Sequence, residues 1–422
     1  MKRFLALLCA VLLAFAAASC GEKEPDPIEP ATTNAPVPQT AGLFNNGGRY
    51  VRYKGGTYYW NYWPEFIGTT GLWGNFSEEA LRRSMTRLDA QGNQESLFTE
   101  NGCGGIWIYN DRFYLESRDE YQHPVIYSTA IGPGGSAGEA PDRRDIGTGE
   151  IFALDEQRGL LIVSDPLGDG TYTYDTATQK QRKLGLGEAQ LLLYDQASAA
   201  LYYAFHESGD EGSNTVVLYR ADVRADGAAG KTQEIARTDL RRYEGLEEAQ
   251  FIEFDNAWLE GSSLHVYISS YGGTAYMYYG SAHLVAGKKG VMEYDAGDAP
   301  DYSRYRVNVP FDMRDIQGDD AFYGYYIRPE EGEPRQVLSM EDIARCGLPG
   351  GPYYYSEGPC AGLRDIEYVD GALFFAVTGG QRNEAEDIGW REAYDFGFIT
   401  VYRKDLASGV IAELYTYDND NL

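Results

Sequence analysis

The chain has few of the residues on which metal centres, disulfide scaffolds and nucleic-acid contacts depend. Its 422 residues include four His and five Cys, and 36 Lys and Arg stand against 64 Asp and Glu, which gives a formal charge of −28. Phosphate contacts need clustered cations, so we expect no nucleic-acid partner. The scattered His and the few Cys do not have the spacing of a zinc or disulfide scaffold. We therefore predict no metal site and no cofactor.

Residues that favour turns and strands are abundant instead. The sequence contains 50 Gly and 35 Tyr. Gly supplies the backbone conformations of tight turns, and Tyr is enriched in strands. No helical period of apolar residues runs through the central part of the chain. The composition therefore indicates a turn-rich, all-β fold.

The N-terminus has the features of an export signal. Met1-Lys2-Arg3 precedes an apolar run from Phe4 to Ala18, which is too short to span a bilayer. The run ends in Ala17-Ala18-Ser19-Cys20, which resembles the lipobox of bacterial lipoproteins. This resemblance implies that residues 1–19 are a lipoprotein signal peptide, that Cys20 is lipidated, and that the protein is extracytoplasmic and anchored to a bacterial membrane or cell surface. The alternative is an ordinary signal peptide with an incidental Cys.

The segment after Cys20 differs in composition from the rest of the chain. Residues 20–42 are rich in Pro, Glu, Thr and Ala and contain few apolar side chains. Such a segment cannot bury a core, so we predict a disordered tether. The folded domain is expected to comprise residues 43–422.

A strand, a tight turn and a second strand recur seven times along this domain. The seven pairs are 50–53 with 57–60, 105–109 with 112–116, 151–154 with 160–164, 190–194 with 201–205, 251–254 with 264–268, 313–316 with 322–327, and 364–368 with 373–377. Units of about 40–50 residues that hold four strands are typical of propeller blades. The sequence therefore predicts a seven-bladed β-propeller, with six or eight blades as alternatives.

Several short motifs resemble a known group of domains. They are Asn46-Gly47-Gly48 before a strand, the run from Gly55 to Trp60, and the Tyr-Arg-x-Asp strands at Tyr219 and Tyr402. These motifs are similar to those of Tyr-rich β-propeller domains of unknown function in bacterial surface lipoproteins, which are distantly similar to the propellers of low-density-lipoprotein-receptor relatives. The resemblance supports the fold and implies no particular ligand.

Short helical insertions are predicted between strands. Residues 77–83 and 339–345 each begin with a Ser cap and an acidic first turn, and the second segment stops at Gly347. Residues 384–394 are a third candidate.

The lengths of the connections indicate which face carries function. In a four-stranded antiparallel meander, the connection after the second strand and the link to the next blade lie on one face, and nearly all the long insertions fall there. Long loops on a rigid scaffold commonly form binding sites, and aromatic rings in them stack on sugars or pack on peptides. The predicted ligand-binding residues are Trp60, Trp63, Tyr271, Tyr279, Tyr354 and Trp390. The alternative for each ring is packing between loops.

The remaining Cys residues indicate one disulfide. An exported protein permits disulfides, and Cys346 and Cys360 flank a loop rich in Gly, Pro and Tyr. We predict that these two residues are linked and that Cys103 is a buried free thiol.

The function predicted from the sequence is a lipid-anchored binding module for glycan or peptide ligands. Its expected partners are the membrane, through the lipid, and a glycan or protein ligand. The alternative is an extracellular carbohydrate-active enzyme on the same scaffold, which would need two carboxylates at a defined separation. Acidic pairs are expected by chance in a chain with 64 acids, so we predict no catalytic residues.

Overall fold

The computed structural model is built almost entirely of antiparallel strands. It describes residues 43–61, 83–119, 123–132, 140–165, 168, 170–208, 214–243, 246, 250–272, 277–287, 292–295, 311–315, 322–327, 335–347, 353–354, 359–388 and 391–418. The predicted signal peptide and tether lie outside these residues.

The described strands form seven separate sheets, numbered here in chain order. Sheet 1 comprises β1 (Tyr50–Tyr53), β2 (Gly56–Trp60), β3 (Arg83–Leu88) and β4 (Gln94–Glu100). Sheet 2 comprises β5 (Gly102–Tyr109), β6 (Arg112–Arg118), β7 (Pro124–Ala130) and β8 (Arg144–Thr148). Sheet 3 comprises β9 (Glu150–Asp155), β10 (Leu160–Ser164), β11 (Tyr172–Asp175) and β12 (Lys180–Lys183). Sheet 4 comprises β13 (Gln190–Asp195), β14 (Ala200–Ser208), β15 (Asn214–Val223) and β16 (Ala229–Asp239).

The last three sheets continue this order. Sheet 5 comprises β17 (Phe251–Glu260), β18 (Ser263–Gly272), β19 (Met277–Ala286) and β20 (Met292–Asp295). Sheet 6 comprises β21 (Phe311–Asp315), β22 (Phe322–Ile327) and β23 (Arg335–Leu338). Sheet 7 comprises β24 (Tyr353–Tyr354), β25 (Pro359–Val369), β26 (Ala372–Ile388), β27 (Arg391–Asp405) and β28 (Ile411–Asp418). The seven strand pairs predicted from the sequence are all present.

Tight turns fix the register of several of these pairs. Lys54-Gly55, Asn110-Asp111 and Asp370-Gly371 each have two successive residues with positive φ. Two such residues define the type I′ turn, whose twist matches that of the flanking strands. In sheet 1 this turn brings Tyr53 opposite Gly56 and Tyr50 opposite Tyr59.

Apolar layers join consecutive sheets. Buried clusters lie between sheets 1 and 2, 2 and 3, 3 and 4, 4 and 5, and 6 and 7. A further cluster joins sheet 7 back to sheet 1. Sheets that pack face to face in chain order, with the last against the first, form a β-propeller.

The contact between sheets 7 and 1 combines aromatic stacking with a buried carboxylate. The rings of Tyr50 and Phe374 are stacked, with centroids 4.8 Å apart. The carboxylate of Glu367 accepts hydrogen bonds from the backbone N–H groups of Arg49 (3.0 Å) and Tyr50 (3.1 Å) and from Nδ2 of Asn45 (2.7 Å). Burial raises the pKa of Glu367, and these donors partly offset that shift.

The Asn-Gly-Gly motif before β1 binds the neighbouring sheet. Gly47 N–H donates to Ile106 O, and Ile106 N–H donates to Gly48 O, both at 2.8 Å. The Asn46 side chain both donates to Ile108 O (3.0 Å) and accepts from Ile108 N–H (2.7 Å). This motif therefore extends the hydrogen bonding of sheet 1 to sheet 2.

One of the three predicted helical insertions, residues 339–345, is present in the structure. Helix α1 (Met340–Arg345) begins at Ser339, whose side chain forms a capping box with Asp342. The prediction of a helix at 384–394 is wrong, because residues of this segment belong to the paired strands β26 and β27, where cross-strand hydrogen bonding prevails over the helix propensity of Glu and Ala. The first predicted helix lies outside the described residues except for Arg83, which begins β3.

Membrane-spanning helices are not found in the part of the chain that the structure describes. None of the helices there has the length and apolar character needed to cross a bilayer.

The motif before β1 yields a matched pair of glycine substitutions. Gly47 and Gly55 both have positive φ, but a Cβ on Gly47 would lie 2.5 Å from the Trp107 ring, whereas a Cβ on Gly55 would meet nothing within 4 Å. We expect Gly55→Ala to cost about 1–2 kcal/mol of unfolding free energy and Gly47→Ala about 1–3 kcal/mol more. Denaturant titration of both variants measures the difference, and equal losses would contradict this packing.

Candidate functional site

A cleft of about 780 Å³ lies between sheets 3 and 4. Its walls come from the connection between β10 and β11, from the link between the two sheets, and from the first residues of β9 and β13. In a meander these segments share one face, which is the face with the long connections. The lining residues are Glu150, Ile151, Phe152, Ser164, Asp165, Gly168, Gly170, Thr171, Lys183, Gly185, Leu186, Gly187, Glu188, Ala189, Gln190 and Leu191.

The link between sheets 3 and 4 alternates buried Leu with exposed Gly. Leu184 and Leu186 are buried in the apolar layer between these sheets, while Gly185 and Gly187 are exposed. Both glycines have positive φ (65° and 66°), and a Cβ on either would meet nothing within 4 Å. Glycine is therefore favoured here by backbone conformation, and it leaves these two positions of the wall without side chains.

The two glycines expose their backbone. Gly185 and Gly187 are exposed, whereas Leu186 between them is buried. Exposed peptide groups offer both donors and acceptors. This wall can therefore hydrogen-bond a polar ligand that enters the cleft.

The opposite wall is a turn held by Asp165. Its carbonyl accepts hydrogen bonds from Gly168 N–H (3.3 Å) and Gly170 N–H (3.0 Å). Its carboxylate accepts from Thr148 Oγ1 at 2.6 Å. The Tyr172 hydroxyl donates to Thr148 O at 2.8 Å, and burial, followed by the charge of Asp165, raises the pKa of Tyr172. The turn is thereby tied to the end of sheet 2.

Acidic groups outnumber basic ones around the cleft. Among the described lining residues, Glu150, Asp165 and Glu188 are acidic and Lys183 is basic. Glu150 and Glu188 are exposed, whereas Asp165 is buried. This balance favours neutral or cationic ligands over anionic ones.

Trp60 does not belong to an exposed aromatic surface. The residue is completely buried, and its ring lies edge-on to Phe98 with centroids 6.1 Å apart. A Cβ on Gly102 would lie 2.3 Å from the Trp60 ring. The prediction that Trp60 contacts ligand is corrected, because this last residue of β2 fills the apolar layer between sheets 1 and 2.

Among the other predicted aromatic residues, the structure describes the side chain of Tyr271. Tyr271 is half-buried in β18 and stands opposite Phe251, the first residue of β17, which is 46% exposed. Tyr279 lies in β19 and Tyr354 in β24, and their side chains are outside the described set. Trp63 and Trp390 are outside it entirely. The exposure of Phe251 was not predicted from the sequence, because a Phe at the start of a strand is usually buried.

The predicted disulfide is not formed in the structure. Cys346 is a free, buried thiol at the end of α1, within the apolar layer between sheets 6 and 7. Burial raises its pKa to about 12, and the charge of Asp342 acts in the same direction. The side chain of Cys360 lies outside the described residues. We correct the prediction accordingly: Cys346 packs in the core and does not restrain the following loop.

Clusters of three or more His, Cys, Asp or Glu that could hold a metal ion are not found among the described residues. Two His residues nevertheless lie in contact: Nδ1 of His265 and Nε2 of His283 are 3.0 Å apart.

No protein-family model matches the chain, and no curated protein matches its sequence. Among solved structures, the β-propeller domain of the Trilobed protease from Pyrococcus furiosus is similar at 9% identity and a TM-score of 0.39, over 91% of this chain and 98% of that one. A puromycin hydrolase is similar at 13% identity and a TM-score of 0.39, over 93% of this chain and 57% of that one.

An acylaminoacyl peptidase from Pyrococcus horikoshii is similar at 12% identity and a TM-score of 0.38, over 74% of this chain and 45% of that one. The chain thus spans about half the length of these last two proteins. We infer no activity from likenesses of this level. The described chain is an all-β protein with the sheet-on-sheet packing of a β-propeller.

The state of Cys346 can be measured directly. We expect native protein treated with iodoacetamide at pH 8 to remain unlabelled at Cys346, because the thiol is buried and its pKa is raised. Denaturation without any reductant should make the residue fully reactive in peptide mass mapping. Labelling that required a reductant would show that a disulfide forms after all.

Proposed function

We propose that this protein is a lipid-anchored, extracytoplasmic β-propeller of seven blades that acts as a binding module for glycan or peptide ligands. The seven sheets support the blade number, each sheet being one blade. The packing of sheet 7 against sheet 1 supports a closed ring.

The observation that carries the binding role is the cleft between sheets 3 and 4. It lies on the face with the long connections, and one wall includes the exposed glycines Gly185 and Gly187. Binding sites are typically concave and contain a few polar groups in fixed positions. The turn of Asp165 and the buried leucines of the link hold the two walls in place.

The chemistry of the cleft restricts the ligand class. Hydroxyl and amide groups of a glycan or peptide match the donors and acceptors of the link. The excess of carboxylates favours ligands that carry amino groups, such as amino sugars or the amino terminus and Lys side chains of a peptide. An anionic glycan is disfavoured by the same charges.

The lipid anchor rests on the sequence of the N-terminus. Acylation of Cys20 would attach the folded domain to the membrane through the tether of residues 20–42. Since the chain is strongly acidic, basic residues do not supply membrane attachment, and the acyl chains must do so.

The role of the cleft in binding can be tested by a substitution in the link that places a side chain in the cleft. Gly187→Asn places a side chain in the cleft, and Asn tolerates positive φ better than most residues. We expect binding of the best ligand from a glycan and peptide array to weaken at least about tenfold, or about 1.4 kcal/mol. Calorimetry with purified protein measures the change.

Gly261→Asn is the matched control. Gly261 also has positive φ (61°), is exposed, and would place a Cβ in open space, but it lies in the turn between β17 and β18 on the opposite face. Its substitution should leave affinity unchanged. Equal affinities for both variants and the parent protein would refute this site. Hydrolysis of an array glycan that stops in Glu188→Gln would replace the binding role with the enzyme alternative.

The anchor is tested by Cys20→Ser. We expect this change to abolish acylation and to move the protein from the detergent phase to the aqueous phase in detergent partitioning, because the acyl chains provide the membrane affinity. A Cys9→Ser variant, altered within the signal peptide, should still partition into detergent. Membrane retention of the Cys20→Ser protein would exclude the lipoprotein assignment.

A further inference from the structure

Three aromatic rings are stacked on one face of sheet 5. The rings of His265 and His283 lie 4.9 Å and 5.0 Å from that of Trp258, and both are inclined to it by 21°. Their neighbours Leu264, Val266 and Leu284 point to the other face and are buried against sheet 4. The stack therefore occupies the face of sheet 5 that is turned away from sheet 4.

The strand register brings the two imidazoles together. In the β18–β19 pair, His283 stands opposite Tyr267, two residues from His265, so the His residues are diagonal neighbours. Diagonal neighbours in a sheet are within reach of long side chains. Nδ1 of His265 and Nε2 of His283 are 3.0 Å apart.

This separation is close to that of two ligands of one metal ion. Two imidazole nitrogens bound to a tetrahedral Zn²⁺ at about 2.0–2.1 Å lie about 3.3–3.4 Å apart. The observed contact is a hydrogen bond between one N–H group and one lone pair, so metal binding requires the shared proton to leave and both facing nitrogens to present lone pairs. Imidazole nitrogen is a preferred ligand of Zn²⁺, Cu²⁺ and Ni²⁺.

The second nitrogen of His265 also has the environment of a ligand. Its Nε2 lies 3.5 Å from Oε2 of Glu260. Metal-binding His residues usually direct their other N–H at a carboxylate or carbonyl, which fixes the ring and raises its basicity. Glu260 can play this orienting role without touching the metal.

Acidic residues flank the two imidazoles. Glu260 lies beside His265. In the β19–β20 pair, the register places Asp295 opposite His283, so an acidic residue occupies the next strand.

We propose that His265 and His283 form a binding site for one divalent transition-metal ion, with Glu260 as the residue that orients His265. The site is separate from the cleft and does not depend on the proposed binding role. The stacked Trp258 holds the rings and reports on the ion through its fluorescence.

Calorimetry of the untagged, full-length protein with ZnCl₂ and CuCl₂ tests this site. We expect one ion to bind per chain. Cu²⁺ should quench part of the tryptophan fluorescence, and this quenching should be lost in Trp258→Phe. Affinity should fall at least about tenfold in His265→Gln and in His283→Gln, and by about tenfold in Glu260→Gln. His123→Gln is the control, because His123 is exposed and lies outside the stack.

A second measurement needs no substitution. Zn²⁺ should protect His265 and His283 of the parent protein from diethylpyrocarbonate, as mapped by mass spectrometry, and should leave His123 reactive. The absence of stoichiometric binding would overturn the proposal. Unchanged affinity in a folded His283→Gln protein, or equal labelling of both stacked His residues with and without Zn²⁺, would also overturn it.

Discussion

The contact between sheets 7 and 1 is the interaction on which the rest of the ring depends. In the described residues each sheet is built from strands that follow one another in the chain, and no N-terminal strand completes sheet 7. Closure therefore rests on side chains, notably the Tyr50–Phe374 stack and the Glu367 carboxylate that accepts the N–H groups of Arg49 and Tyr50. A buried carboxylate that lost these donors would be strongly unfavourable, so the seam has one well-defined register.

The proposed binding cleft depends on the packing between two neighbouring sheets. Its two walls belong to different sheets, so the width of the cleft is fixed by the apolar layer between sheets 3 and 4. That layer includes Leu184 and Leu186 of the link whose glycines face the cleft. The same link therefore contributes to both the apolar layer and the wall of the cleft.

Local sequence patterns predicted the strands and turns of the fold. The environment of the candidate site residues depends instead on contacts between residues far apart in the sequence. The seven hairpins follow from turn residues such as Asn110-Asp111, which act within a few positions. The burial of Trp60 depends instead on which surface of sheet 2 covers it, and the His265–His283 contact depends on strand register, neither of which spacing alone gives. The alternation of Leu and Gly in residues 184–187 was the available signal for the cleft.

Native-state hydrogen exchange tests the central role of the seam most directly. If closure supports the whole ring, the amides of Arg49 and Tyr50 should exchange only through global unfolding, with the same free energy as the amide of Ile162 in the middle of sheet 3. The two free energies should also fall together as denaturant is added. Exchange of the Arg49 and Tyr50 amides at a much lower free energy, with Ile162 still protected, would show that the seam opens by itself and would contradict this account.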